Sequence, residues 1–218
     1  TLPCQEICTK IKISVPNANN DSKIADSINQ HILNTVKEIV YFGKNPNDNV
    51  TYPQITQSFI DAYEDMQKQF PSETIGWEAL IEGKNTYQNE EIIALQIGYY
   101  NYTGGAHGYN GIKSIIINKN DGSIHTSKTL FKNLSNFKKY AEKAFRKQFK
   151  IADNYTINAT GFMFNEDKFN LPNTLIFNNK GLILYYNTYE ISSYSDGPKQ
   201  LFLPYNEIQD YLSFKPTF

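Results

Sequence analysis

Cysteine, tryptophan, histidine and net charge are all scarce in this sequence, and each scarcity removes a class of function. The two cysteines among 218 residues are Cys4 and Cys8, both at the N-terminal end. A single Cys-x-x-x-Cys pair has no second ligand pair, which argues against zinc. Three readings of the pair stay open: a small disulfide in an exported protein, a cysteine near a lipid-attachment point, or two free thiols in a flexible leader. Lysine and arginine total 21 against 22 acids, a formal net charge of −1. That balance lacks the footprint of a nucleic-acid-binding protein and gives no bulk attraction to anionic membrane. No run of 18 apolar residues occurs, so no transmembrane helix is expected. The chain opens on "TLPCQEICTK" without an initiator Met or signal peptide. It reads as a segment trimmed from a longer protein, with a signal or anchor expected upstream.

Catalytic signatures are missing too. There is no G-x-S-x-G elbow, no H-E-x-x-H and no phosphate loop; "GGAHG" (Gly104 to Gly108) lacks the lysine and the following helix. A cysteine nucleophile would have to sit in the leader, a poor place to pre-organise one. The acid pairs Glu64-Asp65, Glu90-Glu91 and Glu166-Asp167 are sequence neighbours, and neighbours on a helix or strand point apart. His31 falls on the polar flank of a helix. An Asp121-Gly122 hairpin would set His125 opposite about Asn118, which leaves His107 roughly 30 Å away at ~3.3 Å per strand residue. No metal and no cofactor are expected.

What is present is a chain able to bury a core. Apolar residues make up 40 %, with 16 Tyr and 14 Phe, and a chain of this length hides roughly 70 % of its unfolded surface. "KIKISVP" (Lys10 to Pro16) alternates as a half-buried strand. Ile28, Ile32, Val36, Ile39 and Val40 recur at 3.6 spacing in a helix from about Ser22 to Val40. A second helix starts near Pro53, with Ile55, Phe59, Tyr63, Met66 and Phe70 as its buried stripe, and ends at Pro71. Strands follow: one places Ile75, Trp77, Ala79 and Ile81 together, the next Ile93, Leu95, Ile97 and Tyr99, then Ile112 to Ile117 with "IHT" returning after the Asp-Gly turn. A third helix is expected from a Ser135 cap to Lys150, with Phe137, Ala141, Ala144, Phe145 and Phe149 inward. It carries Lys138, Lys139, Lys143, Arg146, Lys147 and Lys150 against Glu142 alone, which reads as a solvated face. A hairpin around Asn178 to Gly181, a turn at Asp196 to Pro198, the strand "QLFLP" and a short terminal helix complete the chain. This order predicts an α+β fold, a mostly antiparallel sheet with helices packed on one side. Two intertwined subdomains are expected, 10–124 and 125–218, after a leader at 1–9.

The densest constellation is "YYNYTGGAHGYNG", Tyr99 to Gly111. Gly104 and Gly105 permit a sharp turn, and the surrounding tyrosines would cluster at a sheet end. His107 has no carboxylate nearby in sequence; Glu190 or Asp196 could be supplied by the fold. A turn that displays aromatic rings is the favoured reading, with a binding surface and general acid–base chemistry as the alternatives.

Several segments resemble the RsiV/PdaC-like extracytoplasmic domains. "YYNYTGGAHGYN" is similar to their aromatic–Gly–Ala–His segment. "INKNDGSIHTSKTLFKN" matches a turn glycine followed by Leu-Phe before a helix. "YEISSYSDGPKQLFLPYNEI" resembles their C-terminal signature, although Ser192-Ser193 stands where the family often has Ala-Pro. The matches run in family order over residues 10 to 212. The resemblance implies an α+β domain outside a bacterial cytoplasm, tethered by a signal-anchor or lipid. One branch is the lysozyme-binding part of an anti-sigma factor; another accompanies a polysaccharide deacetylase whose chemistry lies in a separate metal domain. The chain is accordingly read as a non-catalytic envelope binding domain for a lysozyme-like protein or cell-wall peptidoglycan. Tyr99, Tyr100, Tyr102, His107, Tyr109, Tyr189, Tyr194 and Tyr205 are the candidate contacts, and Gly104, Gly105, Gly108, Gly122 and Gly197 the candidate turns. The alternative is an enzyme on wall polysaccharide that uses His107 with a remote carboxylate.

Overall fold

In the computed structural model, residues 9–43, 45, 49–72 and 75–217 are described. Cys4, Cys8 and all but the last residue of the expected leader lie outside them. The elements run β1 (Lys10–Ser14), α1 (Lys23–Val40), α2 (Tyr52–Gln69), β2 (Glu78–Gln88), β3 (Ile92–Tyr102), β4 (Tyr109–Asn118), α3 (Ser127–Leu130), α4 (Leu134–Gln148), β5 (Thr174–Asn178), β6 (Gly181–Tyr186), β7 (Lys199–Pro204) and α5 (Tyr205–Ile208). They form a four-stranded sheet in the order β1-β2-β3-β4 and a three-stranded sheet β5-β6-β7. The fold is α+β and its sheets are mostly antiparallel; β1 is the exception and pairs parallel to β2, Lys10 opposite Glu78 through Ser14 opposite Glu82.

Two compact units emerge, and they do not part at one point of the chain. One comprises the chain up to Lys84 with Ile97–Gly111; the other comprises Asn85–Gln96 with Ile112–Phe218. Strands β2, β3 and β4 therefore each contribute to both.

In the first unit, α1 and α2 form because their apolar residues recur on one face. Ser22 caps α1 by accepting from the Ala25 N–H, a bond worth about 1 kcal/mol. Thr51 and Gln54 form a capping box on α2, with Pro53 in its first turn. Ile28, Ile32, Val36 and Val40 of α1 are buried, as are Ile55, Phe59 and Tyr63 of α2. Phe59 and Tyr63 meet the Trp77 ring edge-on at 5.7 and 5.9 Å. Ala79, Ile81 and Ile97 are buried while Glu78 and Glu82 on the other face of β2 are exposed, so one face of the sheet is covered here. Phe70 and Ile75 depart from their expected burial. Phe70 is the exposed C-cap of α2, past the last turn that packs, and Ile75 precedes β2 in an exposed position.

The second unit has its own core. Phe137, Ala141 and Phe145 of α4 join Leu175, Phe177, Leu182, Leu184, Leu201 and Leu203 of the three-stranded sheet, with Ile92 and Ala94 from β3. Each buried Leu, Ile or Phe among them contributes about 1.5–3 kcal/mol through burial. The cap of α4 is Asn133 rather than Ser135: its Oδ1 accepts from the Asn136 N–H at 2.9 Å. The β4 hairpin also differs from expectation. Asn118 pairs with Ser123, and the His125 N–H donates to the Ile116 carbonyl. The loop thus has four residues, with Gly122 at φ 75° taking the left-handed position. The returning strand is a single bridge, Ile117 to Ile124, and α3 follows it where no helix was expected.

Candidate functional site

Two tyrosine-bearing loops hold nearly all the candidate residues, one in each unit. The first is the β3–β4 end. Gly104 and Gly105 turn the chain at φ 104° and 84°, a region that side chains avoid. Tyr102 closes the turn by donating its hydroxyl to the Gly105 carbonyl at 3.0 Å. The rings of Tyr99 and Tyr109 lie 6.0 Å apart. Gly108 and Gly111 serve a purpose other than turning. A Cβ at 108 would run into the Tyr100 ring, and one at 111 into the Tyr99 ring. These glycines are the floor on which two tyrosines lie flat. Burial, then the neighbouring Tyr109 phenol, pushes the Tyr99 hydroxyl up to about 12. His107 is exposed, and its Nδ1 donates to the Gly108 carbonyl at 3.1 Å.

The second loop runs from Asn187 to Pro198 and is held by side chains. Asn187 acts as a substitute strand segment: the Ile112 N–H donates to its Oδ1 at 2.8 Å, and its Nδ2 donates to the Ile112 carbonyl at 2.9 Å. The Glu190 carboxylate accepts from the Asn187 N–H at 2.9 Å and from the Asn173 N–H at 3.0 Å. Buried Ser192 donates to the Gly197 carbonyl at 2.7 Å, and Ser193 to the Asp196 carboxylate. Gly197 sits at φ 65°. Within this frame Tyr189 adopts φ 71°, a left-handed conformation for a bulky residue, which costs on the order of 1–3 kcal/mol. The residue is 58 % exposed, and its ring stands 5.7 Å from that of Tyr194, a residue 39 % exposed. Exposed Met163 is tied to the same loop through its N–H, which donates to the Ile191 carbonyl.

The sequence-based candidates thus separate. Tyr99 pairs with Tyr109, and Tyr189 pairs with Tyr194. Tyr205 is a correction: it is 2 % exposed, packed 5.8 Å from Tyr87 in the core, because it opens α5 directly behind β7 and is drawn inward with it. Glu190 and Asp196, the carboxylates considered for His107, are engaged by backbone N–H groups and by Ser193 respectively. Among the described residues no group of three or more His, Cys, Asp or Glu could hold a metal. Asn187 was not singled out from sequence, and Glu190 only as a remote carboxylate for His107. Their only signal was polar residues of turn type among tyrosines, and the groups they bind lie up to 75 positions away.

Two family models match this chain. Residues 4–110 match the family described as Deacetylase PdaC, and residues 128–206 match the protein of unknown function family DUF3298. A DUF3298 protein from Bacteroides fragilis has a similar structure: TM-score 0.68 at 18 % identity, over 93 % of this chain and 83 % of that one. A second, from Pseudomonas aeruginosa, gives 0.54 at 21 %, over 73 % and 72 %. No curated protein matches. The chain matches a PdaC/RsiV-like domain, a PdaC-type region followed by a DUF3298 region. Membership suggests an extracytoplasmic accessory domain of a bacterial protein. Among the described residues no helix is long and apolar enough to cross a membrane.

Proposed function

We propose that this domain is a non-catalytic binding module of the cell envelope and that the Tyr189–Tyr194 loop is its principal contact surface. One observation carries the reading: a tyrosine is held in a left-handed conformation by a network of side-chain hydrogen bonds, with its ring turned to solvent beside a second exposed ring. Nothing in packing rewards that strain, since the ring buries little. Strain held by its surroundings concentrates at functional sites, and rigid aromatic rings give large contact area at small entropic cost. The ligand fitting this surface is a lysozyme-like protein or a cell-wall glycan, since tyrosine rings pack on protein and stack on sugar faces alike.

The test is calorimetry against an animal-type lysozyme and, in parallel, peptidoglycan fragments. Tyr189→Gly suits the left-handed backbone and removes only the ring. Loss of roughly tenfold or more in affinity is expected for Tyr189→Gly and for Tyr194→Ala, at unchanged fold, as for central aromatic contacts elsewhere. Binding of wild type that neither variant weakens would overturn the assignment of this loop. No binding to either ligand would overturn the ligand class.

A further inference from the structure

The solvent face of α4 carries a feature that the tyrosine loops do not use. Lys139, Lys143 and Lys147 stand at i, i+4 and i+8, and Lys150 follows past the helix end, where the chain turns away at φ 56°. All four are exposed, and none has a partner among the described residues. The flanking groups leave this charge untouched. Glu142, the one acid on α4, is taken by Arg146 at 2.9 Å, and Lys138 is spent on Asn170. Arg146, Lys147 and Lys150 lie near the C-terminus, where cations offset the helix dipole. Lys139 and Lys143 have no such excuse, and each i,i+4 pair of like charges weakens a helix. On α2, by contrast, Lys68 interrupts the exposed acids and pairs with Asp65 at 2.8 Å. A local rule broken without structural return marks a candidate for function.

We infer that this lysine line is a docking track for a linear, base-free polyanion, a phosphodiester polymer with short carbon linkers. Successive lysines rise roughly 6 Å along the helix axis, so their ammonium groups form a row that a flexible chain of spaced phosphates can follow. Lysine serves phosphate as a mobile point charge. Charge complementarity is therefore linear rather than focused on one pocket. Single-stranded nucleic acid fits less well, because bound bases need aromatic platforms. The nearest aromatic on α4, Tyr140, is half-buried and hydrogen-bonded to Glu207.

Binding of the domain to linear poly(glycerol phosphate) is the experiment, followed by fluorescence anisotropy at several salt concentrations. Oligo(dT) of equal phosphate number is run beside it. Wild type is expected to bind with a log–log salt slope of about −2, from some three phosphates at about −0.7 each. Lys143→Glu is expected to weaken binding roughly tenfold or more and, by relieving the repulsion, to raise the melting temperature. The opposite signs separate a binding track from a structural helix face. A Lys139→Gln/Lys143→Gln/Lys147→Gln variant is expected to abolish binding at retained circular dichroism. Absence of wild-type binding at low salt, unchanged affinity in both variants, or tighter binding of oligo(dT) than of the polymer would each overturn the inference.

Discussion

The two tyrosine pairs have nearly the same geometry and opposite supports. Tyr99 and Tyr109 lie 6.0 Å apart at 38°, and Tyr189 and Tyr194 lie 5.7 Å apart at 33°. At the β3–β4 end, glycines make the site: Gly108 and Gly111 have no side chain, so the rings settle onto the backbone and become half-buried. At the Asn187–Pro198 loop, side chains make the site: Asn187, Glu190 and Ser192 occupy backbone groups, and the rings are left outward. Tyrosine density in a sequence therefore does not distinguish a packed aromatic from a displayed one. What lies beneath the ring decides, and that is either nothing larger than hydrogen or a polar frame that cannot accept an apolar ring.

The comparison breaks most completely if the polar frame is removed. Asn187→Ala leaves the Ile112 N–H without its partner, while the Ile112 carbonyl keeps the Thr174 hydroxyl at 2.9 Å. A part-buried orphan costs about 1–3 kcal/mol, and a loss of that size is expected in urea unfolding. Hydrogen exchange at Ile112 should rise with it. A loss below about 0.5 kcal/mol, the ordinary scale of surface substitutions, would mean that water replaces Asn187 and that the loop is not held as argued. Glycine is the corresponding point of failure in the other loop. Gly111→Ala inserts a Cβ where the Tyr99 ring now lies. The ring is the movable end of its side chain, so it should swing off the strand at a cost of about 1–3 kcal/mol. The prediction is checked by the melting temperature and by loss of the Tyr99–Tyr109 contact in a nuclear Overhauser spectrum.

How far the sequence reveals this follows from where each partner lies in the chain. Helices α1, α2 and α4 were legible because their apolar spacing is local, and the β5–β6 hairpin because Asn178 and Gly181 bracket two turn residues. Failures cluster where a local signal competes with one a few residues off. Asn133 takes the cap of α4 two residues before Ser135, and the Asp121-Gly122 turn closes as a four-residue loop with Asn118 paired to Ser123. Tyr205 reads as an aromatic before a polar helix, yet the direction of β7 carries it into the core. The site was half legible. The tyrosines and glycines announce themselves by composition. The left-handed Tyr189 does not, because no local feature forces a bulky residue there; the constraint comes from Asn173 and Ile112, brought near by the sheet.

The smallest effect sharpens the comparison without altering a residue's packing. Burial, then Tyr109, raises the Tyr99 phenol from its ordinary 10 to about 12. Tyrosine is neutral below its pKa, so a raised folded value means that the folded state prefers the protonated phenol. That preference contributes stability fully below pH 10. Above it the unfolded chain releases the proton first, and the contribution is lost as pH climbs through about 12. Absorbance at 295 nm should therefore rise equally for wild type and Tyr99→Phe through the ordinary range near pH 10. Subtracting the Tyr99→Phe curve from wild type should isolate a step near 12. Half-exposure moderates the stability change, so the spectroscopic step is the better readout. A difference step at pH 10 would show the ring to be solvated and would remove the glycine floor as the reason the two pairs differ.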